Sequence, residues 1–117
     1  MLYLGSQVRY FYFNKAVDMR KGCYGLCGIV CNEMKRDVLN GDVFVFVNKR
    51  YNKLKLLQWD RDGFALYEKH LQKGTFERPG PLNDSHEIAL THIQLQHILQ
   101  GIVLQSVRLK TRYERMA

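Results

Sequence analysis

The order of strand-like and helix-like segments predicts an α+β fold, an antiparallel β-meander sheet packed with two helices in a single domain. Three observations predict it. An aromatic run, QVRYFYF, precedes a stretch whose apolar residues fall at helical spacing. A central block from Val43 to Leu71 reads as consecutive strands joined by short polar turns. A second stretch with its own start and stop signals follows at Thr91. With 117 residues the chain is large enough for one core and too small for two. Its charged and apolar fractions, 25% and 46%, are those of an ordinary globular protein.

Residues 7–13 combine aromatic and β-branched side chains and read as the first strand. Asn14-Lys15 turns the chain, and Asp18 is placed to cap a helix starting near Met19. Cys23, Leu26, Cys27, Val30, Cys31 and Met34 form its apolar stripe. Gly22, Gly25 and Gly28 weaken that helix by up to ~1 kcal/mol each, and they leave a smooth face for close packing on a sheet. Asn40-Gly41-Asp42 is a turn. Val43 to Val47 is continuously apolar, as a central strand covered on both faces would be. From Lys53 to Trp59 the pattern alternates: Leu54 and Leu56 on one face, Lys53, Lys55, Leu57 and Trp59 on the other. Asp62-Gly63 is a hairpin signal, and Phe64 to Leu71 reads as the next strand in preference to a short helix. Gln72-Lys73-Gly74 leads into Thr75-Phe76-Glu77, and Pro79 and Pro81 end the meander in a loop. His86 to Leu90 adds a short strand. Thr91 and Gln94 fit a capping box, Leu95, Ile98, Leu99 and Ile102 make the second helical stripe, and Gly101 is placed to stop it. The folded domain is expected over 1–104, with 105–117 a basic tail in which Val107 and Leu109 alternate weakly.

The formal charge is +7, and it is unevenly placed. Residues 1–58 carry ten Lys and Arg against four acids, 59–104 four against six, and the tail four against one. A basic first half and basic tail around a slightly acidic middle point to a polyanionic partner or, equally, to a solubilising surface. The three cysteines sit four apart on one helical face, which suggests free thiols in a reducing cytoplasm rather than a disulfide framework. The start of the chain lacks the basic leader and small-residue site of a secretory signal, and no apolar run reaches the ~20 residues a bilayer span needs.

Catalysis finds no support in the residues. Asp18, Asp42, Asp60, Asp62 and Glu68 are the acidic candidates. A two-metal nuclease needs carboxylates converging from separate elements, whereas Asp60 and Asp62 lie in one turn and suit it for local backbone reasons. No His joins the cysteines and no Cys-x-x-Cys pair occurs, so they read as small buried hydrophobes and no metal or other cofactor is expected. His92 and His97 miss the spacing of a helical ligand pair.

The basic residues say more. Arg20 and Lys21, in the first turn of the predicted helix, would sit against the helix dipole. Either they await a phosphate or they pair with Asp18 or the acidic hairpin turn. Lys49, Arg50, Lys53 and Lys55 cluster at one end of the central hairpin with Tyr51 among them. Cations there can hold phosphates, and an exposed aromatic could stack on an unpaired base. Trp59 reads more readily as core.

The segments VDMRKGCYGLCGIV, GDVFVFVNKRYNKLKLLQWDRDGFALYEKHLQKGTFERP and QLQHILQGI together resemble the accessory TnpB family of insertion sequence 66 type mobile elements. The resemblance runs from Val8 to Ile102. It implies a role in transposition beside a separate acidic-triad transposase, and no established catalytic residue. Cys23 and His70 depart from the family pattern, and the tail lies outside the resemblance.

The resulting expectation is a non-enzymatic accessory factor. One version binds DNA at the element ends through Arg20, Lys21, Lys49, Arg50, Lys53 and Lys55. A second docks on the transposase, or on another copy of the chain, without touching DNA. A third, a metal-dependent nuclease subunit, would use Asp60, Asp62 and Glu68.

Overall fold

A computed structural model describes residues 4, 5, 7–80 and 86–101. Its elements are β1 (Tyr10–Phe13), α1 (Cys23–Asn32), β2 (Val43–Val47), β3 (Lys53–Asp60), β4 (Gly63–His70), β5 (Glu87–Leu90) and α2 (His92–Gln100). The five strands form one sheet in the order β4-β3-β2-β1-β5. The expected α+β domain with two helices is therefore present, and β2, β3 and β4 make the expected antiparallel meander.

The period-two alternation of the strands sorts two cores onto the two faces of this sheet. Phe11, Phe13, Phe44, Phe46 and Leu57 point to one face, where Leu26, Ile29 and Val30 of α1 cover them. Tyr10, Tyr12, Val43, Val45, Val47, Leu54 and Leu56 point to the other, beneath Leu95 and Ile98 of α2. Bulky rings meet α1 and mostly aliphatic side chains meet α2. Val43 to Val47 is buried throughout, which is why it reads as an unbroken apolar run.

One pairing departs from expectation: β1 runs parallel to β2, with Phe11 opposite Phe44. A helix between two neighbouring strands brings the second back in the same direction, so α1 is a crossover and not a cover laid over a hairpin. β5 then takes the free edge of β1, antiparallel. Arg36, beyond α1, donates to Glu87 of β5 at 2.8 Å and lies 3.6 Å over the Phe11 ring, tying that edge to the α1 layer.

The start of α1 is also corrected. The helix begins at Cys23, its N-cap Gly22 is extended, and no side chain caps it. The carbonyls of Met19 and Lys21 accept hydrogen bonds from Lys55 Nζ at 2.7 and 2.8 Å. They are thereby withdrawn from the i to i+4 ladder that a helix starting at Met19 would need. The helix glycines do not face the sheet. A Cβ at Gly25 would meet Lys21, and at Gly22 it would meet nothing within 4 Å. Cys23 and Cys27 are half-buried against the α1-side core, and only Cys31, exposed, departs from the expected buried stripe. Met34, past the end of α1, is still buried.

The second helix follows its signals. Thr91 Oγ1 accepts from the Gln94 amide at 3.1 Å, and Gln94 Oε1 accepts from the Thr91 amide at 2.8 Å. Gly101 ends α2 with φ +85°, a conformation glycine adopts at little cost. Lys69 of β4 donates to the Leu99 carbonyl at 2.8 Å, a cation at the negative end of the helix. Ile102 and the basic tail lie outside the described residues.

Candidate nucleic-acid interface

The turn between β2 and β3 is built by two asparagines. Asn48 Oδ1 accepts from the amides of Asn52 and Lys53, both at 3.0 Å, and Asn48 Nδ2 donates to Asn52 Oδ1 at 2.7 Å. Backbone bonds from Asn48 to Lys53 and from Tyr51 to Asn48 complete the loop. Tyr51 adopts φ +57°, and its carbonyl accepts from the Phe76 amide. The Tyr51 ring packs on the α2-side core with the Arg78 guanidinium 5.9 Å away. Tyr51 is thus an anchor, and Lys49 and Arg50 stand exposed at the tip of a fixed loop.

Beside that tip the chain folds a depression of about 430 Å³, whose lining includes Asp18, Arg20, Lys49, Arg50, Lys53 and Glu68. Four of the six cations singled out from the sequence therefore meet on one surface. Arg20 grips Asp18, with Nη2 to Oδ2 at 2.7 Å and Nε 3.1 Å from each carboxylate oxygen. These bonds, with one from the Arg20 amide, lower the Asp18 carboxyl to about 2. The pair stays in solvent, the Arg20 side chain 91% exposed. Asp18 therefore shapes a turn ahead of α1 in place of the expected helix cap, and the dipole conflict expected for Arg20 and Lys21 does not arise. Lys21 is exposed nearby.

Lys55 does not join this surface. It is 6% exposed, its ammonium is bonded to the Met19 and Lys21 carbonyls, and Glu68 Oε1 lies 3.5 Å away. Its chemistry is to staple the Met19–Lys21 segment onto β3, which holds Arg20 over the hairpin. Strand direction adds two cations that the sequence reading missed. β1 and β4 end where β2 ends, so exposed Lys15 and Lys73, just past them, lie toward the same end of the sheet. Only the pairing of β1 with β2 places Lys15 there.

The other end of the sheet is electrically mixed. Gln7, Arg9, Asp42, Trp59, Asp60 and Arg61 contribute to a depression of about 590 Å³. Within it Arg9 holds the buried Asp42 carboxylate by two bonds of 3.0 and 2.8 Å. Trp59 is half-buried, edge-on to Phe64 at 5.0 Å, and so belongs to the rim and not to the core. Asp60 pairs with Gly63 across the turn, while Glu68 pairs with Lys55. That is five residues along β4, about 17 Å at strand rise, so Asp60, Asp62 and Glu68 do not converge. No group of three potential ligands that could hold a metal ion occurs among the described residues. Nor is any described helix long and apolar enough to cross a membrane.

Fold and surface together define a small α+β sandwich whose most organised polar feature is a cation-bearing hairpin. The chain belongs to the IS66 Orf2-like family, whose model matches residues 8–109, beyond Ile102 and into the tail. Membership gives it an accessory role in the transposition of an insertion sequence and places it outside known catalytic families. Two relatives come from Sinorhizobium fredii, both described as uncharacterized. One, y4hO, is 33% identical over 102 residues, 87% of each chain. The other, y4jC, is 40% identical over 68 residues, 58% of this chain and 57% of its own length. No solved structure matches the chain.

Proposed function

We propose that this chain is a non-enzymatic DNA-binding accessory factor. It holds the ends of its element through the basic hairpin while the separate transposase of the same element carries out strand chemistry, in a reducing cytoplasm that suits its free thiols. The observation that carries the reading is the gathering of Arg20, Lys49, Arg50 and Lys53 around one depression on a hydrogen-bonded loop. A loop already fixed by Asn48 loses little freedom when its cations meet phosphates. Lys21 completes the contact set, and Lys55 acts only by positioning.

The test is fluorescence anisotropy of the full chain against duplex carrying the terminal inverted repeat and against a scrambled duplex, over a salt series. Each neutralised phosphate contributes ~0.9 to the slope of log affinity against log salt, so a slope of roughly 3 to 5 is expected. Alanine at Lys49, Arg50 and Lys53 together should remove roughly 2 to 3 of it. An unchanged slope in that variant overturns the hairpin assignment. Equal binding to both duplexes leaves specificity to the transposase. A second reading, docking on the transposase without DNA contact, draws on Tyr24, 95% exposed on α1, and is favoured if neither duplex binds near physiological salt.

A further inference from the structure

We propose that the outer edge of β4 is a self-pairing surface. Two copies of the chain join edge to edge, antiparallel, in a register centred on Leu66, and continue two five-stranded sheets into one. The inference does not rest on the DNA-binding reading.

The two edges of the sheet are unequal. β5 offers four residues and β4 offers eight, and among the described residues no strand pairs with the outer side of β4. A long open edge presents a row of unpaired amides and carbonyls and is usually blunted or covered. Here it carries two apolar side chains at its middle, Leu66 and Tyr67, 38% and 39% exposed. They lie on opposite faces of the sheet, so a helix on one face could cover only one of them. An added strand covers both.

The register follows from the hairpin. Asp60 and Gly63 flank a two-residue turn and face each other. In such a turn that pair exchanges both backbone bonds. Alternate residues, Phe64, Leu66 and Glu68, therefore turn their backbone groups outward. Antiparallel self-pairing on these groups permits only centres that keep each residue opposite one on its own face.

Centring on Leu66 sets Leu66 against its own copy and Ala65 against Tyr67 of the second copy, a small side chain beside a large one. Phe64 then meets Glu68, and no like charges are opposed. Centring on Tyr67 would oppose two bulky rings across the axis and leave Leu66 with no apolar side chain opposite it. Centring on Glu68 would oppose two carboxylates, which is unfavourable across a strand pair. This self-complementarity identifies the occupant as a second copy. The antiparallel join sends the two basic hairpins to opposite ends of the combined sheet.

The experiment is sedimentation equilibrium of the full chain at several concentrations, with disulfide trapping. The expected result is a species of twice the 13.8 kDa chain mass, weakened ~10-fold or more by Leu66→Lys, which opposes two cations across the axis. Leu66→Pro should act the same way, because it removes an outward amide and leaves the β3 ladder intact. Circular dichroism identifies any variant that fails to fold. In a Cys31→Ser background, Leu66→Cys should cross-link under mild oxidation and Glu68→Cys should not, since only position 66 meets its own copy within disulfide reach. A monomer at all concentrations overturns the proposal. So does a dimer indifferent to folded Leu66 variants, or cross-linking at Glu68→Cys as readily as at Leu66→Cys.

Discussion

The turn from Asn48 to Asn52 and the turn from Asp60 to Gly63 bracket the same strand, and charged and amide side chains dominate both. In the first, the amides of Asn48 and Asn52 bond inward and hold the loop, so Lys49 and Arg50 are left over for solvent. In the second, the loop is two residues, and Arg61 bends the chain with φ +60°. Asp60 and Asp62 set opposite charge beside Arg61 there, so no single sign accumulates. A charged turn becomes a display surface when other side chains do the folding and its charges share a sign. The same contrast recurs within β3, where Lys53 and Lys55 share a face but only Lys53 reaches solvent with its charge.

The largest expected effect breaks that second contrast. Lys55→Met keeps the aliphatic stem but leaves the Met19 and Lys21 carbonyls without their donor, a loss of ~3 kcal/mol in urea unfolding at about 1–3 kcal/mol per buried unsatisfied group. Lys53→Met should stay within ~0.5 kcal/mol, as surface substitutions do. If both variants unfold alike, the staple is not structural. A DNA effect of Lys55→Met should appear only as its Arg20-bearing segment comes loose.

Next is the lock itself. Asn48→Ala deletes three side-chain hydrogen bonds and should cost ~2 kcal/mol at about 1 kcal/mol for each bond, less what water restores. It should also weaken DNA binding while every cation remains, because the loop must then be ordered on binding. Unfolding curves and anisotropy on the same sample separate the two losses.

What could be read in advance follows the same line between local and distant causes. The β2–β4 meander, the capping box at Thr91 and the stop at Gly101 were legible because each is decided by neighbours within a few residues. The start of α1 was not: the competitor for its carbonyls, Lys55, lies thirty-odd residues away. For the same reason Lys55 looked like one more hairpin cation until its partners were known. The parallel pairing of β1 with β2 was not legible: the strand pattern pointed to an antiparallel sheet, and alternation alone cannot choose a strand's neighbour. Lys49, Arg50 and Lys53 were found because they flank a turn. Lys15 needed the strand order.

A smaller effect distinguishes the two turns by backbone. Tyr51 and Arg61 both sit at positive φ, where a side chain costs roughly 1–2 kcal/mol. Arg61→Gly should therefore stabilise the chain by ~0.5–1 kcal/mol, since Arg61 is exposed and no packing is lost. Tyr51→Gly should destabilise by ~1 kcal/mol despite the same relief, because its ring packs against the α2-side core and that contact is lost. Opposite signs in paired thermal melts support the view of one turn as anchored and the other as merely closed. A stabilising Tyr51→Gly would remove Tyr51 from its anchoring role.

The smallest effect sits at the rim of the basic surface, where Asp18 neutralises Arg20. The Asp18 carboxyl is held at about 2, against an ordinary value of 3.8, chiefly by hydrogen bonds from the Arg20 side chain and then from its amide. A depressed folded-state value means the contribution to stability is complete above about pH 4, fades as pH falls, and is lost below about pH 2. Arg20 is almost wholly in solvent and Asp18 is exposed beside it, so that contribution is minor. Carbon-detected NMR titration should find the midpoint near 2 and return it to the ordinary carboxylate range in Arg20→Ala. For DNA the sign reverses: Asp18→Asn frees the guanidinium and should steepen the salt slope by ~0.9, the worth of one phosphate. If affinity and slope stay unchanged in Asp18→Asn, Arg20 lies outside the interface and the contact surface contracts to the hairpin tip.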